Sequence, residues 1–154
     1  MAPAAAKPCP AGVLSGSVAG SSGAAGTIEV TIALRNTGTA TCTLGGYPGL
    51  QLLDAAGVQL PTHVVRAGSY PFTDFAPSTV TLAAGGTAYV NLGYSDVPSG
   101  SETSCPKAAS LWVTPPGAYD HLTTTLALAP CAGGTVTVSP VFGPGSPATQ
   151  TTAP

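Results

Sequence analysis

The chain has 154 residues with four basic and six acidic side chains, a net charge of −2 and 6% charged residues, against about 25% in an ordinary soluble domain. Four scattered cations, Lys7, Arg35, Arg66 and Lys107, cannot form the basic patch that a nucleic acid or an anionic membrane surface requires, and the heptad charges of a coiled coil are absent. Gly, Pro, Ser or Thr interrupts every apolar run before the roughly 18 residues that a membrane-spanning helix needs.

Residues 1–8 are rich in Pro and Ala, which predicts a disordered leader. They lack the apolar region of a signal peptide, so Met1 is read as a start placed before a mature, exported domain. From there the period is two. In residues 27–35, Ile28, Val30, Ile32 and Leu34 share one face, while Glu29, Thr31 and Arg35 share the other. Such alternation marks a half-buried strand. Residues 88–94 and 135–139 alternate in the same way. Further strands are expected at 12–20, 48–54, 57–66, 78–83, 108–114 and 121–128. Asp54-Ala55-Ala56-Gly57 and Ala83-Ala84-Gly85-Gly86 read as hairpin turns, and residues 20–26 as a flexible Gly/Ser turn. Residues 143–154 form a Pro/Thr/Ser tail, also expected to be disordered. The expected fold is all-β: an antiparallel, immunoglobulin-like β-sandwich of about nine short strands over residues 9–142, with two disulfides.

The cysteines are Cys9, Cys42, Cys105 and Cys131. None forms a C-x-x-C pair, which disfavours zinc-ribbon and thioredoxin readings. An even number of widely spaced cysteines in a charge-poor, Thr- and Ser-rich chain fits two disulfides and an oxidising compartment. Cys9 precedes and Cys42 follows one expected hairpin, 12–20 with 26–36. Cys105 and Cys131 bracket a second, 108–114 with 121–128. The ends of a hairpin lie together, so Cys9–Cys42 and Cys105–Cys131 are the expected pairs. Each closes a loop worth roughly 3–4 kcal/mol in the chain-entropy model. Cys9 follows Ala6-Lys7-Pro8, which is not the small apolar box of a lipid-anchor site, so a disulfide suits it better.

A resemblance now enters on these residues. Cys9 and the stretch Arg35-Asn36-Thr37-Gly38-Thr39-Ala40-Thr41-Cys42-Thr43-Leu44-Gly45-Gly46-Tyr47-Pro48-Gly49 resemble the diagnostic pattern of an actinobacterial family known as a domain of unknown function, number 4232. Leu82-Ala83-Ala84-Gly85-Gly86, Cys105, Val113-Thr114-Pro115-Pro116-Gly117 and Cys131-Ala132-Gly133-Gly134 agree with it. The resemblance covers about residues 9–141. It implies an exported or lipid-anchored envelope protein with an immunoglobulin-like sandwich, and it implies no reaction and no catalytic residues.

The chemical inventory is thin. His63 and His121 are the two histidines. Asp120 beside His121 suggests a hydrolase-like pair, yet no Gly-x-Ser-x-Gly elbow accompanies it. The pair is read as a solvated turn, and His63 as an outward strand residue. Blue copper needs two His, a Cys and an axial Met, and the single Met is Met1. The acids show no EF-hand spacing, and no phosphate loop appears. No catalytic residue, metal or cofactor is therefore expected, and the chain is read as not an enzyme.

The candidate recognition loop is the stretch from 66 to 77, which concentrates Tyr70, Phe72 and Phe75. Aromatic side chains give contact area at small entropic cost, and long loops on a rigid sandwich often bind partners; the plainer reading is that the three rings close one end of the sandwich. Trp112 alternates with Leu111 and Val113 and is outward-facing or a lid over that loop. The functional expectation is a non-catalytic, exported cell-envelope module, extracellular or wall-associated, that binds an unknown protein or glycan. It does not bind nucleic acid or insert into a membrane. The alternatives are a hydrolase-like enzyme using Asp120 and His121, or a passive spacer.

Overall fold

The computed structural model describes residues 6–24, 26–66 and 76–144. A 3-10 turn, Ala11–Val13, leads into β1 (Leu14–Ala24), which pairs antiparallel with β2 (Thr27–Asn36). There follow β3 (Cys42–Gly45), β4 (Gly49–Leu53), β5 (His63–Arg66), β6 (Thr79–Leu82) and β7 (Thr87–Ser95). The last strands are β8 (Ala108–Thr114), β9 (Leu122–Leu128) and β10 (Thr135–Val138), with one helical turn, Cys131–Gly134, before β10. A five-stranded sheet has the order β1-β2-β7-β10-β5. A three-stranded sheet, β4-β8-β9, and a two-stranded sheet, β3-β6, complete the fold. The expected all-β, antiparallel-rich sandwich is the observed architecture.

The period-two pattern builds the core as expected. Ile32 pairs with Val90 and Val30 with Leu92 across β2 and β7, and Val136 and Val138 extend this face on β10. Leu52, Leu111, Val113 and Leu122 meet them from the three-stranded sheet, and Leu44 and Leu82 from the two-stranded one. Fully burying one such side chain is worth about 1.5–3 kcal/mol. Gly16 on β1 lets two layers approach closely, because a Cβ there would overlap the Thr124 hydroxyl and crowd Leu122.

Several expectations are corrected. The described residues hold ten strands rather than nine; β3 is the added one, and it begins at Cys42 itself. Residues 21–24 continue β1 and are not a flexible turn. The stretch 57–66 is not one strand. Residues 58–60 fold back on β4, where Leu60 N–H donates to the Leu52 carbonyl at 2.9 Å. Pro61 then removes the N–H that a continued ladder would need, and the chain crosses to the five-stranded sheet as β5. There β5 pairs in parallel with β10, with Val64 opposite Val136. Gly134, at φ +83°, admits this crossing, since a Cβ would overlap the Pro61 carbonyl. The turn at Asp54–Gly57 is a hairpin as read, with Gly57 N–H on the Asp54 carbonyl at 3.0 Å. The turn at residues 83–86 forms too, but it carries the chain from β6 in one sheet to β7 in another.

Two further readings change. Glu29 and Thr31, assigned to the solvent side, are 4% and 9% exposed. Alternation identifies which face a residue takes; it does not say whether that face is covered. On this face Thr31 Oγ1 donates to Asn91 Oδ1 at 2.7 Å, and Asn91 N–H donates to Ser139 Oγ at 2.9 Å. At the start of the chain, Lys7 and Pro8, assigned to the disordered leader, instead run beside β3. The Lys7 carbonyl accepts from Thr43 N–H at 2.9 Å, and Pro8 bridges Thr43 in parallel.

Candidate functional site

The two disulfides are Cys9–Cys42 and Cys105–Cys131, with Cα atoms 4.9 and 4.6 Å apart. Both pairings follow from the hairpin ends, and both staples sit where strands begin or end. Cys9–Cys42 ties the entering chain to β3, beside the Cys9 N–H donating to the Thr43 carbonyl at 2.8 Å.

The second staple carries an unforeseen clip. Ala132 (φ 55°, ψ 47°) and Gly133 (φ 71°, ψ 26°) are consecutive left-handed residues. Successive residues of this kind turn their N–H groups to one side and form an anion-binding concavity. Glu102 fills it. Its Oε1 accepts from Ala132 N–H at 2.9 Å and from Ser99 N–H at 3.1 Å, and its Oε2 accepts from Gly133 N–H at 3.1 Å. These bonds, Ala132's first, hold the Glu102 carboxyl below its usual range. Glu102 lies within 4.8 Å of the sulfurs of Cys105 and Cys131, but both sulfurs are committed to the disulfide, so the group offers no thiolate to a metal.

The sign of the pH effect follows from a folded pKa lower than the unfolded one. The ionised clip contributes fully above the ordinary value of 4.5, and the contribution is lost as pH falls through the lowered folded value. Amide exchange at Ala132 and Gly133, corrected for intrinsic rates, is therefore expected to accelerate on acidification while Leu111 and Val113 stay protected. Glu102→Gln should remove the pH step. Identical pH profiles for all four amides would show that Glu102 does not hold this turn.

Asp120 and His121 do different jobs. Asp120 Oδ1 accepts from Ala11 N–H at 3.0 Å. That bond, first among several causes, lowers its carboxyl pKa, and it staples the turn before β9 to the start of the fold. His121 is exposed and stacks on Trp112, ring centroids 4.1 Å apart and planes 20° apart. Among the described residues no hydroxyl hydrogen-bonds His121. His63 is outward and exposed on β5, opposite Thr135.

Trp112 is outward rather than a core residue. Its neighbours Leu111 and Val113 are fully buried, while Trp112 is half-buried on the outer face of the β4-β8-β9 sheet. It lies between Gln51 of β4 and Thr123 of β9. Gln51 is fixed by its Nε2 donating to the Leu60 carbonyl at 2.8 Å and to Thr62 Oγ1 at 3.1 Å. Tyr119, two residues before His121, is fully exposed. The sequence left Trp112 either outward-facing or a lid over the 66–77 loop, most of which lies outside the described residues; the His121 contact is diagonal across the strand register and was not foreseen. The candidate recognition residues Tyr70, Phe72 and Phe75 lie outside the described residues.

The class defined by this geometry is a small, disulfide-stapled β-sandwich domain with a stacked Trp112–His121 pair on one sheet face. The chain belongs to the family described as Domain of unknown function (DUF4232), whose model matches residues 9–142. No curated protein and no solved structure matches it. Among the described residues, no helix is long and apolar enough to cross a membrane.

Proposed function

We propose that this chain is a non-catalytic, exported module of an actinobacterial cell envelope that works by surface recognition of a protein or glycan. The observation that carries the reading is the pairing of all four cysteines into two disulfides, which persist in oxidising compartments. With only ten charged side chains, the chain offers a partner little electrostatic steering. Recognition then rests on shape, aromatic contact and hydrogen bonds, and Tyr70, Phe72 and Phe75 are the loop residues first in line for it.

The test is fractionation of the producing cell followed by capture on isolated envelope and a glycan array. The expected result is oxidised protein in the extracellular or wall fraction, with saturable capture. A Tyr70→Ala/Phe72→Ala/Phe75→Ala variant is expected to bind more weakly; equal binding would move the contact surface off that loop. Recovery of the protein in the cytoplasm with four free thiols would overturn the reading.

A further inference from the structure

We propose that the outer face of the β4-β8-β9 sheet is a binding site for a neutral glycan, with Trp112 as its stacking platform; the inference rests on the recognition reading above and assigns its ligand class. Three observations converge on this face. The first is the absence of charge. The strands read GLQLL, AASLWVT and LTTTLAL, without a single Lys, Arg, Asp or Glu. Apart from the His121 imidazole, a phosphate polymer or an acidic peptide would find no counter-charge on these strands. An uncharged polyhydroxyl ligand surrenders no ion pair and loses no charge solvation.

The second observation is the aromatic group. Trp112 is the one tryptophan of the chain, and it points out of the core between Gln51 and Thr123. The stacked His121 covers one face of the ring and holds it in place, so little rotamer freedom is left to lose on binding, and the sugar takes the face that His121 leaves uncovered. The C–H face of a pyranose ring is apolar and packs on such a π-surface, whereas the ring's equatorial hydroxyls point sideways. Tyr119, at 103% relative exposure, lies off this face, in the turn before β9 beside Lys7 and Pro8, and is not part of the platform.

The third is the hydroxyl supply. Thr123 and Thr125 are exposed on β9, and Ser110 and Thr114 are half-buried on β8. Each hydroxyl both donates and accepts, which matches the mixed character of sugar hydroxyls. β8 and β9, about 4.8 Å apart and each seven residues long at about 3.4 Å per residue, make a strip roughly 20 Å long, which β4, five residues long with Leu53 buried, widens to roughly 10 Å only near Trp112. That is room for a short run of sugar rings and not for a globular partner's standard interface. A lipid surface would need a continuous apolar patch, which this hydroxyl-bearing face is not.

The single tryptophan makes the test direct. Intrinsic fluorescence of the intact oxidised protein is titrated with cellohexaose, maltohexaose, a linear mannohexaose and neutral polysaccharide from the producing envelope. Saturable change in Trp112 emission is expected with at least one of them, and its midpoint should barely move between low salt and about 1 M salt. Thr123→Glu changes an exposed position paired with Trp112 and leaves the core untouched. It is expected to weaken binding about tenfold or more, with the melting temperature unchanged, and Trp112→Ala should abolish retention in affinity electrophoresis. Absence of saturation with every neutral glycan, or binding untouched by both substitutions, overturns the site. Envelope capture that survives Trp112→Ala sinks this site alone. Failure of the wild type to be captured by envelope, with oligosaccharide binding intact, supports the site and sinks the envelope reading.

Discussion

Replacing all four cysteines by alanine is expected to remove about 7 kcal/mol of stability relative to the oxidised protein. The estimate comes from the loops that the staples close. Cys9 and Cys42 are 33 residues apart, and Cys105 and Cys131 are 26 apart. Loops of these lengths restrict the unfolded chain by roughly 3.5 kcal/mol each. The two loops do not overlap in sequence, so the terms should add. Small domains have about 5–15 kcal/mol in total, so the quadruple variant should lose roughly half or more of its stability and keep at most about 8 kcal/mol. Urea unfolding of the oxidised protein, of each double variant and of the quadruple variant measures this. The Cys9/Cys42 variant should also expose the Lys7–Thr43 amide pairing to exchange, and the Cys105/Cys131 variant the Ala132 and Gly133 amides held by Glu102. A quadruple variant within about 2 kcal/mol of the wild type would mean that its unfolded chain keeps residual structure, against the random-loop estimate.

The disulfides were readable because a hairpin returns its flanks to one end, so pairing followed from the expected hairpins. The core was readable for the same local reason: Ile28, Val30, Ile32 and Leu34 alternate, and three of the four are almost fully buried. Sheet partners were not. A period of two says which side of a strand is apolar but not which strand lies beside it. Thus β6 pairs with β3 rather than β7, and β5 pairs in parallel with β10. The four residues of β3 are too few to show a period at all. On the candidate site, the alternation of Trp112 with two apolar neighbours left it either outward or a lid over the 66–77 loop, and only the sheet register shows it on the outer face. His121 was not legible as its ring partner, because that contact needs the β8–β9 register. Glu102 lies 30 and 31 residues from the Ala132 and Gly133 amides it holds, and its one local bond, from Ser99 N–H, does not signal that long-range contact. The Gly133-Gly134 pair was the available hint, since glycine adopts left-handed backbone without a Cβ penalty; Ala132 at φ 55° carried no such signal.

Asn36→Asp is expected to cost at least about 3 kcal/mol at neutral pH although it changes one atom group. Asn36 ends β2 and is completely buried. Its Nδ2 donates to the Ala40 carbonyl at 2.9 Å and to the Leu82 carbonyl at 3.1 Å, while its Oδ1 accepts from Gly38 N–H at 3.0 Å. Its backbone closes the turn before β7, donating to the Gly86 carbonyl at 2.9 Å and accepting from Gly85 N–H at 2.7 Å. One side chain thus ties the loop before Cys42 to the end of β6. An aspartate has the same shape but no donors, so a buried negative charge would face two carbonyl oxygens. Stranding a buried charge in this way costs about 3–5 kcal/mol. The carboxyl's folded pKa must then rise above its unfolded value of about 3.9. Below that value the variant is neutral in both states and can donate one bond, so the penalty is smallest there. As pH rises the unfolded chain ionises first, and the penalty grows by about 1.4 kcal/mol per pH unit until the folded carboxyl ionises too. Asn36→Ala removes the same bonds without a charge and should show a penalty that is flat with pH. Comparing each variant with the wild type at the same pH cancels the shared titration of Glu102 and Asp120. Urea midpoints from pH 3.5 to pH 7, given as about one-unit steps, read both slopes. An Asn36→Asp penalty as flat as that of Asn36→Ala would mean that the carboxylate escapes to water, and that the loop from 37 to 41 is not locked to β6 through this side chain.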